Sequence, residues 1–229
     1  ENHWLANTGD AGLGVDETEV SATFAWPCRN PDAPVLITPG FGLQLWDGPV
    51  TSVTGVDLPP QTYDAYLAVG WNPQFSPAFG AELGASVGVY SDFETATVDS
   101  IRVQGQGLAV VWLSQSFRLK GGVMYVDRNK VKLLPAGGVV WTPNQDTRLD
   151  ILFPNPRFAH RFATSGTLDW WYYVRGEYGG GAWTVKRQFT GATERMDYND
   201  IRVALGLEFK RPAGMEGFLE VGVAFDREL

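Results

Sequence analysis

Residues 201–210 read Ile-Arg-Val-Ala-Leu-Gly-Leu-Glu-Phe-Lys, and residues 218–226 read Phe-Leu-Glu-Val-Gly-Val-Ala-Phe-Asp. In the first, Ile201, Val203, Leu205, Leu207 and Phe209 alternate with Arg202, Ala204, Gly206, Glu208 and Lys210. In the second, Leu219, Val221, Val223 and Phe225 alternate with Glu220, Gly222, Ala224 and Asp226. Successive side chains of a strand point to opposite faces, so a period of two gives each stretch one apolar face and one polar or small face. A turn-forming segment, Lys210-Arg211-Pro212-Ala213-Gly214, separates the two. The pair reads as two antiparallel neighbours.

Working outward, the same period recurs. Val20, Ala22, Phe24 and Trp26 alternate with Glu19, Ser21, Thr23 and Ala25. Ala65, Leu67, Val69 and Trp71 alternate with Asp64, Tyr66, Ala68 and Gly70. Leu83, Ala85, Val87 and Val89 alternate with Glu82, Gly84, Ser86 and Gly88. About eleven strand candidates emerge, many of 8 to 12 residues, longer than the usual globular strand of about 5 or 6. Longer polar connections lie at 47–61, 91–100 and 186–199. The segment 148–162 is ambiguous, because Pro154 and Pro156 cannot donate to a ladder. No composition break divides residues 1–229, which read as one domain, with 1–17 an N-terminal extension or part of the first strand region.

Composition agrees. Of 229 residues, 27 are Gly and 9 are Trp, and charged residues are only 19%. A net charge of −8 speaks against nucleic acid as a partner, since such a surface needs a basic stripe. One Cys excludes a disulfide within the chain, and two His make a His-rich metal site a poor fit. Nothing points to a cofactor. The longest apolar stretch, around Ala109 to Leu113, is far short of the roughly 20 residues of a membrane helix, but closed barrels also span lipid. The opening at Glu1 without Met fits removal of an export signal, or a fragment.

Alternation alone fits a soluble sandwich or barrel with its apolar faces inside, and a membrane barrel with those faces toward lipid. Three features favour the second. The polar faces carry many Gly and Ala, which suits a crowded interior. Opposite charges recur at similar depth: Arg175 with Glu177, Arg202 with Glu208, and Arg148 with Asp150. Trp26, Trp46, Trp71, Trp112, Trp141, Trp170 and Trp183 cluster at strand ends, where interfacial girdles sit. The expected fold is all-β, an antiparallel up-and-down transmembrane barrel of about 12 strands. Arg175, Glu177, Arg202, Glu208, Glu220, Arg148 and Asp150 are expected to form its inward charge network.

Short motifs occur in order along the chain: Thr38-Pro39-Gly40-Phe41, Leu58-Pro59-Pro60 with Tyr63-Asp64-Ala65-Tyr66, and Val89-Tyr90-Ser91-Asp92-Phe93. They continue through Leu134-Pro135-Ala136-Gly137-Gly138, Trp141-Thr142-Pro143-Asn144 and Phe153-Pro154-Asn155-Pro156-Arg157. The last are Gly176-Glu177-Tyr178-Gly179-Gly180-Gly181, Trp183 and Phe225-Asp226-Arg227-Glu228-Leu229. In these motifs the chain resembles a bacterial outer-membrane β-barrel family of unassigned function. The resemblance implies an outer-membrane location and no reaction. It also implies a closing strand beyond Leu229.

The motifs that look catalytic are weak. Gly84-Ala85-Ser86-Val87-Gly88 matches the nucleophile-elbow pattern, with Asp150 and His160 following in hydrolase order, but the elbow needs a strand-to-helix turn and this is an alternating strand. His160 with Ser165 has no supporting spacing. Glu177 and Glu208 as a glycosidase pair lack a demonstrated cleft. Gly179-Gly180-Gly181 precedes no Lys-Ser/Thr, and reads as close backbone approach or a hinge. Cys28 reads as an incidental thiol. The expectation is a non-enzymatic barrel in contact with outer-membrane lipid, a narrow channel or passive transporter for small solutes. The alternatives are a structural or interaction barrel of the envelope, and a membrane-embedded lipid or glycan hydrolase.

Overall fold

The computed structural model describes residues 1–5, 13–27, 32–47, 58–94, 97–128, 131–187, 189–211 and 216–228. Cys28, most of the 47–61 connection and the Pro212-Ala213-Gly214 turn lie outside the described residues. The strands are β1 (Asn2–Leu5), β2 (Gly14–Ser21), β3 (Phe24–Trp26), β4 (Val35–Asp47), β5 (Gln61–Trp71), β6 (Gln74–Ser76), β7 (Phe79–Ser91) and β8 (Ile101–Trp112). They continue as β9 (Phe117–Tyr125), β10 (Leu133–Asn144), β11 (Thr147–Phe153), β12 (Arg157–Ser165), β13 (Leu168–Lys186), β14 (Thr193–Lys210) and β15 (Glu216–Glu228). Among the described residues the only helical piece is one 3₁₀ turn, Val98–Ser100.

All fifteen strands belong to one sheet, and its main path runs β1-β2-β4-β5-β7-β8-β9-β10-β11-β12-β13-β14-β15 with every neighbour antiparallel. β3 and β6 are short continuations that pair with β4 and β7. This corrects the count of about eleven. β1 is too short to show a period. β2 and β3 are one run broken at 22–23, and β5 and β6 are another broken at 72–73. Pro154 and Pro156, which cannot donate to a ladder, part β11 from β12.

The sheet closes where Thr184 of β13 pairs in parallel with Ser91 of β7. Strands β7 to β13 thereby form a closed ring of seven with mixed pairing, and the other eight strands lie outside that ring. Among the described residues no ladder joins β1 to β15.

The two faces differ as a period of two requires. On β15, Leu219, Val221 and Val223 are 76%, 73% and 66% exposed. On β14, Val203, Leu205 and Leu207 are exposed and Ile201 and Phe209 half-buried, whereas Ala204 and Gly206 between them are buried. The glycines of the inner face make room for large neighbours. A Cβ at Gly206 would collide with the Tyr173 ring, and one at Gly40 with the Tyr66 ring. Each tyrosine therefore lies flat across the facing strand and fills the interior. Trp26, Trp71 and Trp141 are exposed, whereas Trp46 and Trp183, expected in the girdle, are buried. Trp112 also points inward, over Gly80.

β13 and β14 overrun their neighbours. β12 pairs with β13 only as far as Arg175, and β15 with β14 only from Asn199, yet β13 and β14 pair with each other out to Lys186 and Thr193. The surplus is an arm that bends over one end of the sheet toward β7. Gly180, with φ +101°, sits at its base, where a Cβ would strike the Tyr198 carbonyl.

Substitution Gly206→Ala should destabilise the fold by about 1–3 kcal/mol through overpacking against Tyr173. Gly121→Ala, which meets nothing within 4 Å, should leave stability unchanged. Unfolding midpoints of the two variants against the parent decide the matter.

Candidate functional site

The interior divides into three regions. The first is the charged wall of β12 to β15 and β2. Arg175 bonds Glu177 on its own strand and, two strands away, Glu220, through Nε to Oε2 at 2.6 Å and Nη2 to Oε1 at 2.7 Å. Tyr173 donates its hydroxyl to the same Glu220 carboxylate at 2.8 Å. Arg202 sits between two acids, Asp200 at 2.9 Å and Glu17 of β2 at 3.0 Å. Asp200, fully buried, also accepts the Tyr198 hydroxyl at 2.7 Å. Glu208 is held by Arg157 at 2.9 Å and Lys210 at 3.1 Å. Arg157 also lies 4.2 Å above the Tyr173 ring.

The structure thus places Arg175, Glu177, Arg202, Glu208 and Glu220 on one inner face but pairs them differently from the expected network. Arg202 and Glu208 make no ion pair with each other. They are six residues apart on one strand, and each meets a nearer partner. Glu177 lies opposite Arg202 in register yet bonds Arg175, while Arg202 turns to Asp200 and Glu17. Arg148 and Asp150 pair only with each other, at 2.9 Å. Glu17, Arg157 and Asp200 escape the sequence pattern. Asp200 could have been found by running the parity of 202, 204 and 206 one step back, whereas Pro154 and Pro156 mask that of Arg157.

The second region is the arm. Its inner surface joins Trp183, Val185, Met196 and Tyr198 to Leu13, Val15, Trp46 and Leu58 in a buried apolar cluster. Trp46 meets the rings of Trp183 and Tyr198 edge-on, at 5.4 and 5.6 Å. Polar groups fasten the arm to the barrel. Arg128, in the connection between β9 and β10, donates to the Gly179 carbonyl at 2.8 Å, the Gly180 carbonyl at 2.7 Å and Asn199 Oδ1 at 2.8 Å. Burial pushes its guanidinium pKa below the ordinary arginine value, with Tyr178, Asp197 and Asp200 acting the other way. Arg102 reaches Thr184 Oγ1 at 3.2 Å, and the Lys186 backbone N–H donates to Asp92 at 2.6 Å. The Gly179-Gly180-Gly181 run forms the bend of this arm.

The third region is the wall of β4, β5, β7, β8 and β9, whose cavity is lined by uncharged side chains. Ser86 belongs here, in register with Ala68 and Gln104. His160 faces the other way, bonded to Thr147 at 3.0 Å and packed on Tyr172, and Asp150 is occupied by Arg148. The hydrolase-like order Ser86, Asp150, His160 is not brought together. Ser165 lies at the β12–β13 turn, paired with Leu168. The Glu177 and Glu208 carboxylates are each taken by arginine. Among the described residues no group of three or more His, Cys, Asp or Glu is placed to hold a metal.

Comparison with protein-family models, with curated proteins and with solved structures found no match to this chain.

Substitution Arg128→Met should loosen the arm, because it takes the guanidinium donors from the Gly179 and Gly180 carbonyls, at about 1–3 kcal/mol each, and leaves Asn199 Oδ1 to the Tyr178 hydroxyl. Amide hydrogen exchange should then rise across residues 181–198 with β8 to β10 unchanged. Equal protection in parent and variant would show that Arg128 does not hold the arm.

Proposed function

We propose that the chain is an outer-membrane β-barrel whose polar interior serves as a narrow channel or passive transporter for small solutes. The observation that carries this reading is the exposed apolar belt. Leu67 and Val69 on β5, Leu83 and Val87 on β7 and Leu119 and Val123 on β9 are exposed. So are Ile151 on β11, Val174 on β13, Leu205 and Leu207 on β14 and Val221 and Val223 on β15. They alternate with inner-face residues strand after strand. A water-soluble monomer rarely exposes a contiguous apolar surface beyond a few hundred Å², whereas lipid requires one all round. No described helix is long and apolar enough to cross a membrane, so spanning would fall to the strands. The family resemblance implies the same location.

The arm supports a second reading. Trp46, Trp183 and Tyr198 pack together in a buried apolar cluster under the arm, as suits a structural or interaction barrel of the envelope.

Cell fractionation and gel migration with and without heating test the membrane reading. The protein should enter the membrane fraction, require detergent and migrate faster unheated. Leu205→Arg, placing a charge on the lipid face, should cost about 2–4 kcal/mol of folding stability near the bilayer midplane. Recovery of the parent from the soluble fraction without detergent would overturn the proposal. Liposomes separate the two functions. Solute flux that appears in the parent, or on release of the arm by Arg128→Met, supports the channel, and its absence from both leaves the structural barrel.

A further inference from the structure

We infer that the uncharged patch running from Thr38 on β4 to Met124 on β9, beside the Glu82–Lys120 ion pair, is a binding site for a neutral, multiply hydroxylated small molecule. The inference rests on the reading of this face as the interior of a barrel.

The cavity against this wall has a volume of about 390 Å³, near the lower end for ligand sites, and none of its lining residues is acidic or basic. Five successive strands contribute to it: Thr38, Asn72, Ser86, Gln104, Gln106 and Met124 supply its chemistry. Ala68, Gly70 and Gly84 are small enough to leave the space open. Gly84 has a specific part, since a Cβ there would stand 3.1 Å from Gln106 Cγ, so the Gln106 side chain lies across it.

Of the polar side chains that supply the cavity's chemistry, Thr38 Oγ1 bonds Thr23 Oγ1 at 2.9 Å and the others are free. Among the described residues, the side chains of Asn72, Ser86, Gln104 and Gln106 have no protein partner. Outside the cavity, on these same strands, such groups are engaged. Gln44 donates to Asp64 at 2.7 Å, Thr62 to Gln44 at 3.1 Å, and Lys120 pairs with Glu82 at 2.6 Å. The wall therefore presents primary amides and a hydroxyl, each able to donate and to accept, beside an apolar Met124 surface. Hydroxyl groups match that set because they too do both, and the C–H faces of a sugar or polyol match the thioether. Glu82 of β7 and Lys120 of β9 are spent on each other, so an ion would find no free counter-charge among the lining residues and would lose hydration without replacement.

The test is a calorimetric titration of the purified full chain in detergent micelles, its folded state checked by heat-modifiable migration. The probes are D-glucose, the anion gluconate and the cation glucosamine. Glucose should bind, and each charged probe should bind about tenfold more weakly or worse. The near-isosteric double substitution Gln104→Met/Gln106→Met should weaken glucose by about tenfold or more, and Ser86→Leu, which fills the cavity, should abolish binding. Folded protein that binds no glucose, that binds a charged probe as tightly, or that is indifferent to both variants overturns the inference and leaves the membrane reading intact. A chain that proves soluble without detergent overturns the membrane reading instead, and the same titration in plain buffer still decides the site.

Discussion

The Arg202 guanidinium ties together parts of the chain that the backbone ladder leaves apart. It projects inward from β14, bonds Asp200 beside the arm and reaches Glu17 on β2, at the other extreme of the strand path. Arg227 of β15 adds a bond to the Leu13 carbonyl just before β2. With no described ladder between β1 and β15, these side-chain bonds hold the two ends of the sheet near one another. The geometry is costly to break, because removing one member would strand a buried charge at several kcal/mol, near the ~3–5 expected for such pairs. The arm depends on the same anchor through Asp200 and Tyr198, and the Thr184–Ser91 closure depends on the arm.

Charge inside the barrel is thus paired on β12 to β15 and β2 and again at Glu82 with Lys120. Arg175 bridges Glu177 and Glu220, and Arg202 bridges Asp200 and Glu17, so each arginine is shared by two acids and the charged wall is spent on holding strands together. On the opposite wall Gln44 is engaged by Asp64 and Thr62, and the unengaged amides are those around the cavity, at Asn72, Gln104 and Gln106. Glycines act as beds for tyrosine rings at Gly206 and Gly40 and leave open space at Gly70 and Gly84.

The strands and their faces were legible in the sequence because a period of two is a local property. Leu205 and Gly206 announce their faces from their immediate neighbours. The count was less legible where the period breaks, at Ala22-Thr23, Asn72-Pro73 and Pro154 to Pro156. The charge network was legible as to face but not as to partner. Parity places Arg202 and Glu208 on the same side, but the choice of Glu17 for Arg202 spans most of the chain and depends on how the sheet curls. Trp46 and Trp183 misled for a related reason. At a strand end an interfacial tryptophan and one that packs under a folded-over arm look alike in sequence, and only the arm's bend at Gly180 tells them apart. The free amides of Gln104 and Gln106 carry no sequence signal, since any polar inner face contains such residues.

The arm also constrains the order in which the molecule can assemble. Most ladders here join strands adjacent in sequence, and such contacts cost little loop-closure entropy. The fastenings of the arm are of another kind, because Asp92 meets the Lys186 backbone and Arg102 meets Thr184 only after the intervening hairpins exist. Arg202 and Glu17, 185 residues apart, are more distant still. Non-local contacts of this kind form late and slowly. The meander would therefore be laid down first as an open sheet with its polar face accessible, and the arm would fold over that face once the neighbours were in place. An assembling chain passes through a stage in which the interior is open at both ends and its charged wall is half-paired, so the final step is as much a sealing as a folding.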